Sequence, residues 1–249
     1  MSILMKDVHK AFGSNRVLKG FSFEVEDGET VAIVGQSGTG KSVALKHVVG
    51  LLRPDRGEVW VDGQRVDRLS GEDLYEIRRN VGYVFQFAAL FDSLTIGENV
   101  GLGLQRIQSM TEQGIRNRVK ECLTLVELEG YEERYPAQLS GGQKKRAGLA
   151  RAIATEPNFL LYDEPTTGLD PVTTTVIDRL IIRAREELDV TSVVITHDMG
   201  SAYRIADKIG MLYDGVIRFM GTPDEVQTCP DPVVRGFIEG KPELLEGAG

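Results

Sequence analysis

Apolar residues fall along this chain in short solid runs, separated by longer stretches with helical spacing. Thr30–Val34 is a run of β-branched and small apolar residues and predicts a buried strand. Phe159–Tyr162 and Ser192–Thr196 are runs of the same kind, and Val81–Phe85 is a fourth, ending at Gln86. Helical patterns follow in Val43–Val49, in the polar Glu72–Arg79, in Val172–Leu188 and in Met199–Ala206. Strands alternating with helices predict an α/β fold, a mostly parallel core sheet with helices on both faces.

Two regions depart from the alternation. Ser2–Val8 and Val17–Val25 read as strands around the turn cluster Gly13-Ser14-Asn15, and Asp27-Gly28 closes the second. Arg53-Pro54-Asp55-Arg56-Gly57 breaks the chain, after which Glu58–Val66 reads as a strand, an Asp62-Gly63 turn and a return strand. Together these predict an antiparallel β-subdomain beside the core. Ile209–Tyr213 and Val216–Met220 predict one more hairpin, over Asp214-Gly215. From about Ser93 to Thr155 the pattern is helical, with Ile115, Val119, Cys122, Leu123 and Val126 on one face of the segment 112–128. This predicts an α-helical subdomain inserted at about residues 90–155. The expected organisation is one domain over 1–240 and a short C-terminal tail over 241–249, with 231–240 as a short, partly frayed helix.

Composition narrows the class. The chain has 249 residues, 41% hydrophobic and 27% charged, enough for a globular domain with a sizeable core. No apolar run approaches the ~20 residues that span a bilayer. The start, Met1-Ser2-Ile3-Leu4-Met5-Lys6-Asp7, has no signal-peptide pattern. Cys122 and Cys229 stand alone, without metal-ligand spacing, as expected of reduced thiols in a cytosolic chain. The net charge of −8 argues against nucleic acid as the main partner. A role at a membrane would therefore need a separate membrane subunit.

Chemistry concentrates first at Gly35-Gln36-Ser37-Gly38-Thr39-Gly40-Lys41-Ser42. A strand precedes it and a helix follows, the arrangement of a phosphate-binding loop. Its glycines let the backbone curl so that N–H groups point at an anion, and the helix adds its positive N-terminal end. Lys41 can reach the β- and γ-phosphates, and Ser42 offers its hydroxyl to Mg²⁺. A Gly-rich turn could match by chance, but the flanking strand and helix favour nucleotide.

Downstream, the strand 159–162 ends in Asp163 and Glu164. Two acids there could be a mere polar cap. Behind a phosphate loop they read as a Mg²⁺ partner through water (Asp163) and a general base for the attacking water (Glu164). Leu139-Ser140-Gly141-Gly142-Gln143 precedes the helical run Lys144–Ala154. A serine and two glycines at a helix start form either a simple cap or a second anion site. A chain with one complete nucleotide site needs no second, so this one is expected to complete the pocket of another copy.

With these motifs in this order, the chain resembles the ABC-type ATPases. Leu139–Gln143 matches their signature motif, Gln86 their Q-loop glutamine, Gly168-Leu169-Asp170-Pro171 their D-loop and His197 their switch histidine. The resemblance spans residues 2 to about 221. It implies a phosphate-loop NTPase fold of ABC type, with ATP and Mg²⁺ as cofactors. It implies that Phe12 stacks on adenine, where many members carry Tyr, and that His197 contacts the γ-phosphate. Gln86 would couple Mg²⁺ and water to the helical subdomain. Ser140, Gly141, Gly142, Gln143 and Asp170 would meet the nucleotide of a second, head-to-tail copy. His9 and His47 have no such support and are expected to be structural.

A finer resemblance is to the bacterial Mla/MCE-type phospholipid transport ATPases. It rests on Gln86–Thr95, Ser140–Arg146, Leu161–Pro171, Thr196–Met199 with Ile205–Ile209, and Asp231–Gly240. It implies a subunit peripheral to the cytoplasmic face of the inner membrane. Permease subunits would hold it there, with an MCE-domain substrate-binding protein as a further partner. The alternatives are an amino-acid or metal importer ATPase, a soluble ABC protein acting on DNA or ribosomes, and a non-hydrolytic binding module. The absence of a basic patch and of a second nucleotide domain argues against the second, and Glu164 with His197 against the third.

Overall fold

A computed structural model describes residues 2–107, 110–241 and 243–244. Of the expected tail, residues 242 and 245–249 lie outside the described residues. The chain opens with β1 (Ile3–Phe12), β2 (Asn15–Val25), β3 (Thr30–Val34), α1 (Lys41–Val48), β4 (Arg56–Val61) and β5 (Gln64–Arg65). Next come α2 (Gly71–Arg79), β6 (Val81–Val84), α3 (Ile96–Gly101), α4 (Glu112–Leu125), α5 (Gly141–Ile153), β7 (Phe159–Asp163) and α6 (Pro171–Leu188). It closes with β8 (Thr191–Thr196), α7 (Met199–Ile205), β9 (Lys208–Tyr213), β10 (Val216–Gly221), α8 (Pro223–Thr228) and α9 (Pro232–Glu239). These elements gather into two units, residues 1–77 with 191–249, and residues 78–190.

In the first unit, β2, β1, β4 and β5 form an antiparallel sheet in that order. A second set runs β10-β9-β3-β8, with β3 parallel to β8 and β9, and β10 antiparallel to β9. Every residue of β3 and of β8 is buried. Their solid apolar runs follow from that position, since a strand covered on both faces has no polar side to alternate with. Val31, Ile33 and Val34 each contribute roughly 2 kcal/mol by leaving water. Ala32, Val34, Ile209 and Met211 pack with Ala202 of α7, Val226 of α8, and Val233 and Val234 of α9.

The second unit holds β6 parallel to β7 and the helices α3 to α6. Side chains cap each of these four helices: Thr95, Thr111, Ser140 and Asp170. Ile96, Val100, Leu104, Val119 and Leu123 are buried in it.

Several details differ from the sequence reading; β1 runs on to Phe12, four residues past the expected Val8. The strand β6 stops at Val84, and Phe85 is 38% exposed, tilted against the Tyr83 ring at 4.4 Å between centroids. The return strand β5 is only two residues long, because Val66–Arg68 turns into 3₁₀ helix and Asp67 Oδ1 accepts the Val59 N–H at 3.0 Å. The helix α8 was not anticipated; Thr222 and Glu225 close a capping box on it.

Candidate functional site

In the first unit, the register of β3 on β8 sets Val34 opposite Thr196. Gly35 and His197 therefore leave adjacent parallel strands at the same carboxyl edge, where α/β sheets place ligand sites. At Gly35 the backbone passes so close to β9 that a Cβ would stand 2.5 Å from the Leu212 carbonyl oxygen. Gln36, Ser37 and Gly38 are exposed, and the Thr39 hydroxyl donates to the Gln36 carbonyl at 2.9 Å. Gly40 caps α1 at φ 103°, a left-handed conformation that favours glycine.

Lys41 is 5% exposed, and its Nζ donates to the carbonyls of Gly35 at 2.7 Å and Gln36 at 2.9 Å. The ammonium is thus held against the curl of the loop, with half-buried Ser42 next along α1. The start of α1 has no side-chain cap and no acid in its first turn. Seven other helices are capped by Thr95, Thr111, Ser140, Asp170, Asp198, Thr222 and Asp231. First-turn N–H groups without a side-chain cap, beside a buried lysine, fit a phosphate group. His197 is exposed, and Phe12 is 49% exposed at the end of β1, with Lys10 Nζ 5.7 Å from its ring centre.

The other histidines have structural partners. His9 pairs with Asp7 at 2.9 Å. His47 is fully buried on α1, and its Nδ1–H donates to the Val43 carbonyl at 2.7 Å. Burial holds its pKa below the ordinary 6.5, and the charge of Lys10 acts in the same direction.

In the second unit, β6 on β7 sets Val84 opposite Tyr162, so Gln86 and the pair Asp163-Glu164 follow neighbouring strand ends. Asp163 and Glu164 are 7% and 8% exposed. The Tyr83 hydroxyl donates to Asp163 Oδ2 at 3.1 Å, and burial together with that carboxylate raises the Tyr83 pKa far above its usual value. Glu164 sits at φ 50°, an uncommon conformation for a residue other than glycine. The Thr167 hydroxyl donates to Glu164 Oε2 at 2.8 Å, and the Thr167 N–H donates to its carbonyl at 3.3 Å. Lys145 Nζ donates to the same carbonyl at 3.3 Å. Beyond half-buried Gln86, Ala88 and Ala89 also have positive φ, and Arg151 of α5 donates to both carbonyls at 2.8 and 2.6 Å.

The segment before α5 is a reciprocal cap. Ser140 Oγ accepts the Gln143 N–H at 3.3 Å, and Gln143 Oε1 accepts the Ser140 N–H at 2.9 Å. Gln143 Nε2 donates to the Tyr131 hydroxyl at 3.1 Å, and Arg134 stacks 3.8 Å from that ring's centre. The simple cap is therefore real within one chain. A hydroxyl that accepts one bond still has its proton to donate, and Ser140 and Gly141 are exposed. Asp170 is likewise exposed and caps α6 through the N–H groups of Val172 and Thr173, both at 3.0 Å. Its bond from the Thr173 hydroxyl holds its pKa below the usual carboxylate range.

Tyr83, Lys145, Thr167 and Tyr131 were absent from the sequence-derived set. Thr167 had a signal, lying three residues after Glu164 where a hydroxyl can reach back. The other three act across strands, helices and loops that sequence spacing does not relate. Among the described residues no group of three or more His, Cys, Asp or Glu could hold a metal. The Ser42 hydroxyl in the first unit and the Asp163 carboxylate in the second are each oxygen donors of the kind Mg²⁺ prefers. No helix among the described residues is long and apolar enough to cross a membrane.

A family model described as ABC transporter matches residues 18–167. The chain is 40% identical over 241 residues to a probable ribonucleotide transport ATP-binding protein of Mycobacterium leprae, covering 97% of this chain and 70% of that protein. It is 43% identical over 253 residues to the chloroplastic protein TRIGALACTOSYLDIACYLGLYCEROL 3 of Arabidopsis thaliana, covering 94% and 72%. A dimeric ATP-binding cassette in a post-hydrolysis state, bound to ADP and Pi, superposes with a TM-score of 0.81 at 36% identity, covering 89% of this chain and 98% of that one.

Proposed function

Because this chain belongs to the ABC transporter family, we propose that it is the ATP-hydrolysing subunit of a membrane system that moves phospholipid with an MCE-type partner. The chain binds ATP with Mg²⁺ and is an ATPase of the cassette fold. The observation that carries the site assignment is the start of α1, without a side-chain cap, behind Gly35–Ser42. In this reading the loop amides and Lys41 hold the β- and γ-phosphates, and Phe12 stacks on adenine. Ser42 and Asp163 hold Mg²⁺, Asp163 through water, and Gln86 reports on that shell. Bound Mg²⁺ offsets phosphate charge. Glu164 orients and deprotonates the attacking water, and His197 meets the γ-phosphate.

Two copies stand head-to-tail around a two-fold axis, the cassettes of this family being dimeric partners of membrane subunits. Ser140, Gly141, Gly142, Gln143 and Asp170 of one copy complete the ATP pocket of the other. ATP holds the pair closed, and loss of the γ-phosphate removes the contacts that favour closure. Phe87 is 82% exposed and Phe91 53% exposed just after Gln86, an apolar surface suited to a permease at the cytoplasmic face of the membrane.

The cargo reading rests on the texture around Gln86–Thr95 and on the plant relative, which is named for a galactolipid. The mycobacterial relative is named for ribonucleotide transport, which makes nucleotide cargo the second reading. Affinity purification of the tagged chain from membranes decides between them. Co-purification of a permease and an MCE-domain protein is expected. Recovery with a binding protein for another solute, and no MCE protein, overturns the lipid reading.

A further inference from the structure

The helix α5 carries the exposed Ser140 end at its start and, one turn later, a buried cation. Lys145 is 8% exposed, and its ammonium lies against the backbone of Glu164, 3.3 Å from the carbonyl oxygen. A buried lysine loses the hydration of its charge, and its pKa is pulled below the ordinary value by that burial. Nearby Glu164 and Asp163 oppose the shift. A carbonyl oxygen accepts from this ammonium at a backbone position that is itself unusual. Glu164 is at φ 50°, and such conformations persist only where the surroundings over-determine them. Two groups do so here. Thr167 holds the carboxylate through its hydroxyl and the carbonyl through its N–H. Lys145 holds the carbonyl from α5.

We propose that Lys145 is a positioning residue that fixes the left-handed backbone of Glu164 from the helix α5. The Ser140 end of α5 and the carboxylate of the same chain are thereby mechanically joined. When a second copy's ATP draws on Ser140, the displacement of α5 reaches Glu164 through Lys145. Each copy then senses the occupancy of its partner's pocket. This rests on the general-base reading of Glu164.

The test uses the chain of residues 1–249. Lys145→Met removes the donor and keeps the stem. It is expected to lower kcat for ATP about tenfold or more, while the ATP concentration at half-maximal rate stays within about twofold. Affinity for a fluorescent ATP analogue and the thermal melting profile establish folding and binding. Lys145→Gln keeps a neutral donor and is expected between wild type and Lys145→Met; it carries the test should the methionine variant not fold. Added to Glu164→Gln, Lys145→Met is expected to cause no further loss, because its effect passes through Glu164. An unchanged kcat in a folded Lys145 variant overturns the proposal, as does a loss of ATP affinity by the same factor as kcat. Should Glu164→Gln itself turn over normally, the general-base reading fails, separately from any result at Lys145.

Discussion

The hydroxyl of Tyr83 on β6 donates to Asp163 Oδ2 at the end of β7, 3.1 Å away. The bond spans two parallel strands and orients a carboxylate proposed to face Mg²⁺ through water. Tyr83→Phe keeps the ring and removes the donor. The Mg²⁺ concentration at half-maximal ATPase rate is expected to rise about tenfold, as for other outer-sphere partners of metal ligands. A Mg²⁺ titration of ATPase at saturating ATP measures it, and an unshifted curve removes Tyr83 from that role.

Glu164→Gln preserves shape and removes the proposed base. ATP binding is expected to persist, turnover to fall about 10²- to 10⁴-fold, and a dimer to accumulate with ATP and Mg²⁺. Light scattering after size exclusion reads the dimer, and phosphate release reads the turnover. Ordinary turnover would exclude Glu164 as the base.

Lys41→Ala takes away the ammonium that bridges the Gly35 and Gln36 carbonyls. Binding of a fluorescent ATP analogue is expected to weaken by about a hundredfold or more, and hydrolysis to disappear with it. If binding survives while hydrolysis is lost, the lysine acts on the reaction alone.

His47 makes stability pH-dependent. Its folded pKa lies below the ordinary 6.5 because burial disfavours the cation. The unfolded chain then binds the proton first as pH falls. The contribution of His47 is complete above about pH 6.5 and declines below it. Lys10 and Asp55 are the charged groups acting on it, in opposite directions. Carboxylates held low by partners, such as Asp7, Asp55 and Asp231, change stability only below about pH 4. Melting temperature is expected to fall between about pH 7 and pH 5.5, and His47→Leu to flatten that part of the curve. An unchanged slope in the variant would assign the fall to another group.

Much of this was legible along the chain because short-range physics dictates it. Thr30–Val34 is a strand in the same five residues that periodicity marks, since full burial on both faces leaves only apolar choices. The loop Gly35–Ser42 is legible because only glycines permit its close approaches, and only a helix start supplies its donors. Phe85 misled because an aromatic after four strand residues looks like a fifth, yet it is part-exposed although the partner strand β7 runs one residue further, to Asp163. The pairing of Tyr83 with Asp163, 80 residues apart, carries no local signature.

The sequence by itself determined the alternation of strands and helices, the phosphate loop, the carboxylate pair and the family to which they belong. Each is a matter of residue type at fixed spacing. Only the tertiary structure decided that the Lys145 ammonium reaches the Glu164 carbonyl and that the Tyr83 hydroxyl reaches Asp163. Those facts depend on parallel register and helix packing. Such long-range contacts form once the whole chain has paid its ordering entropy, and no window of neighbouring residues encodes them.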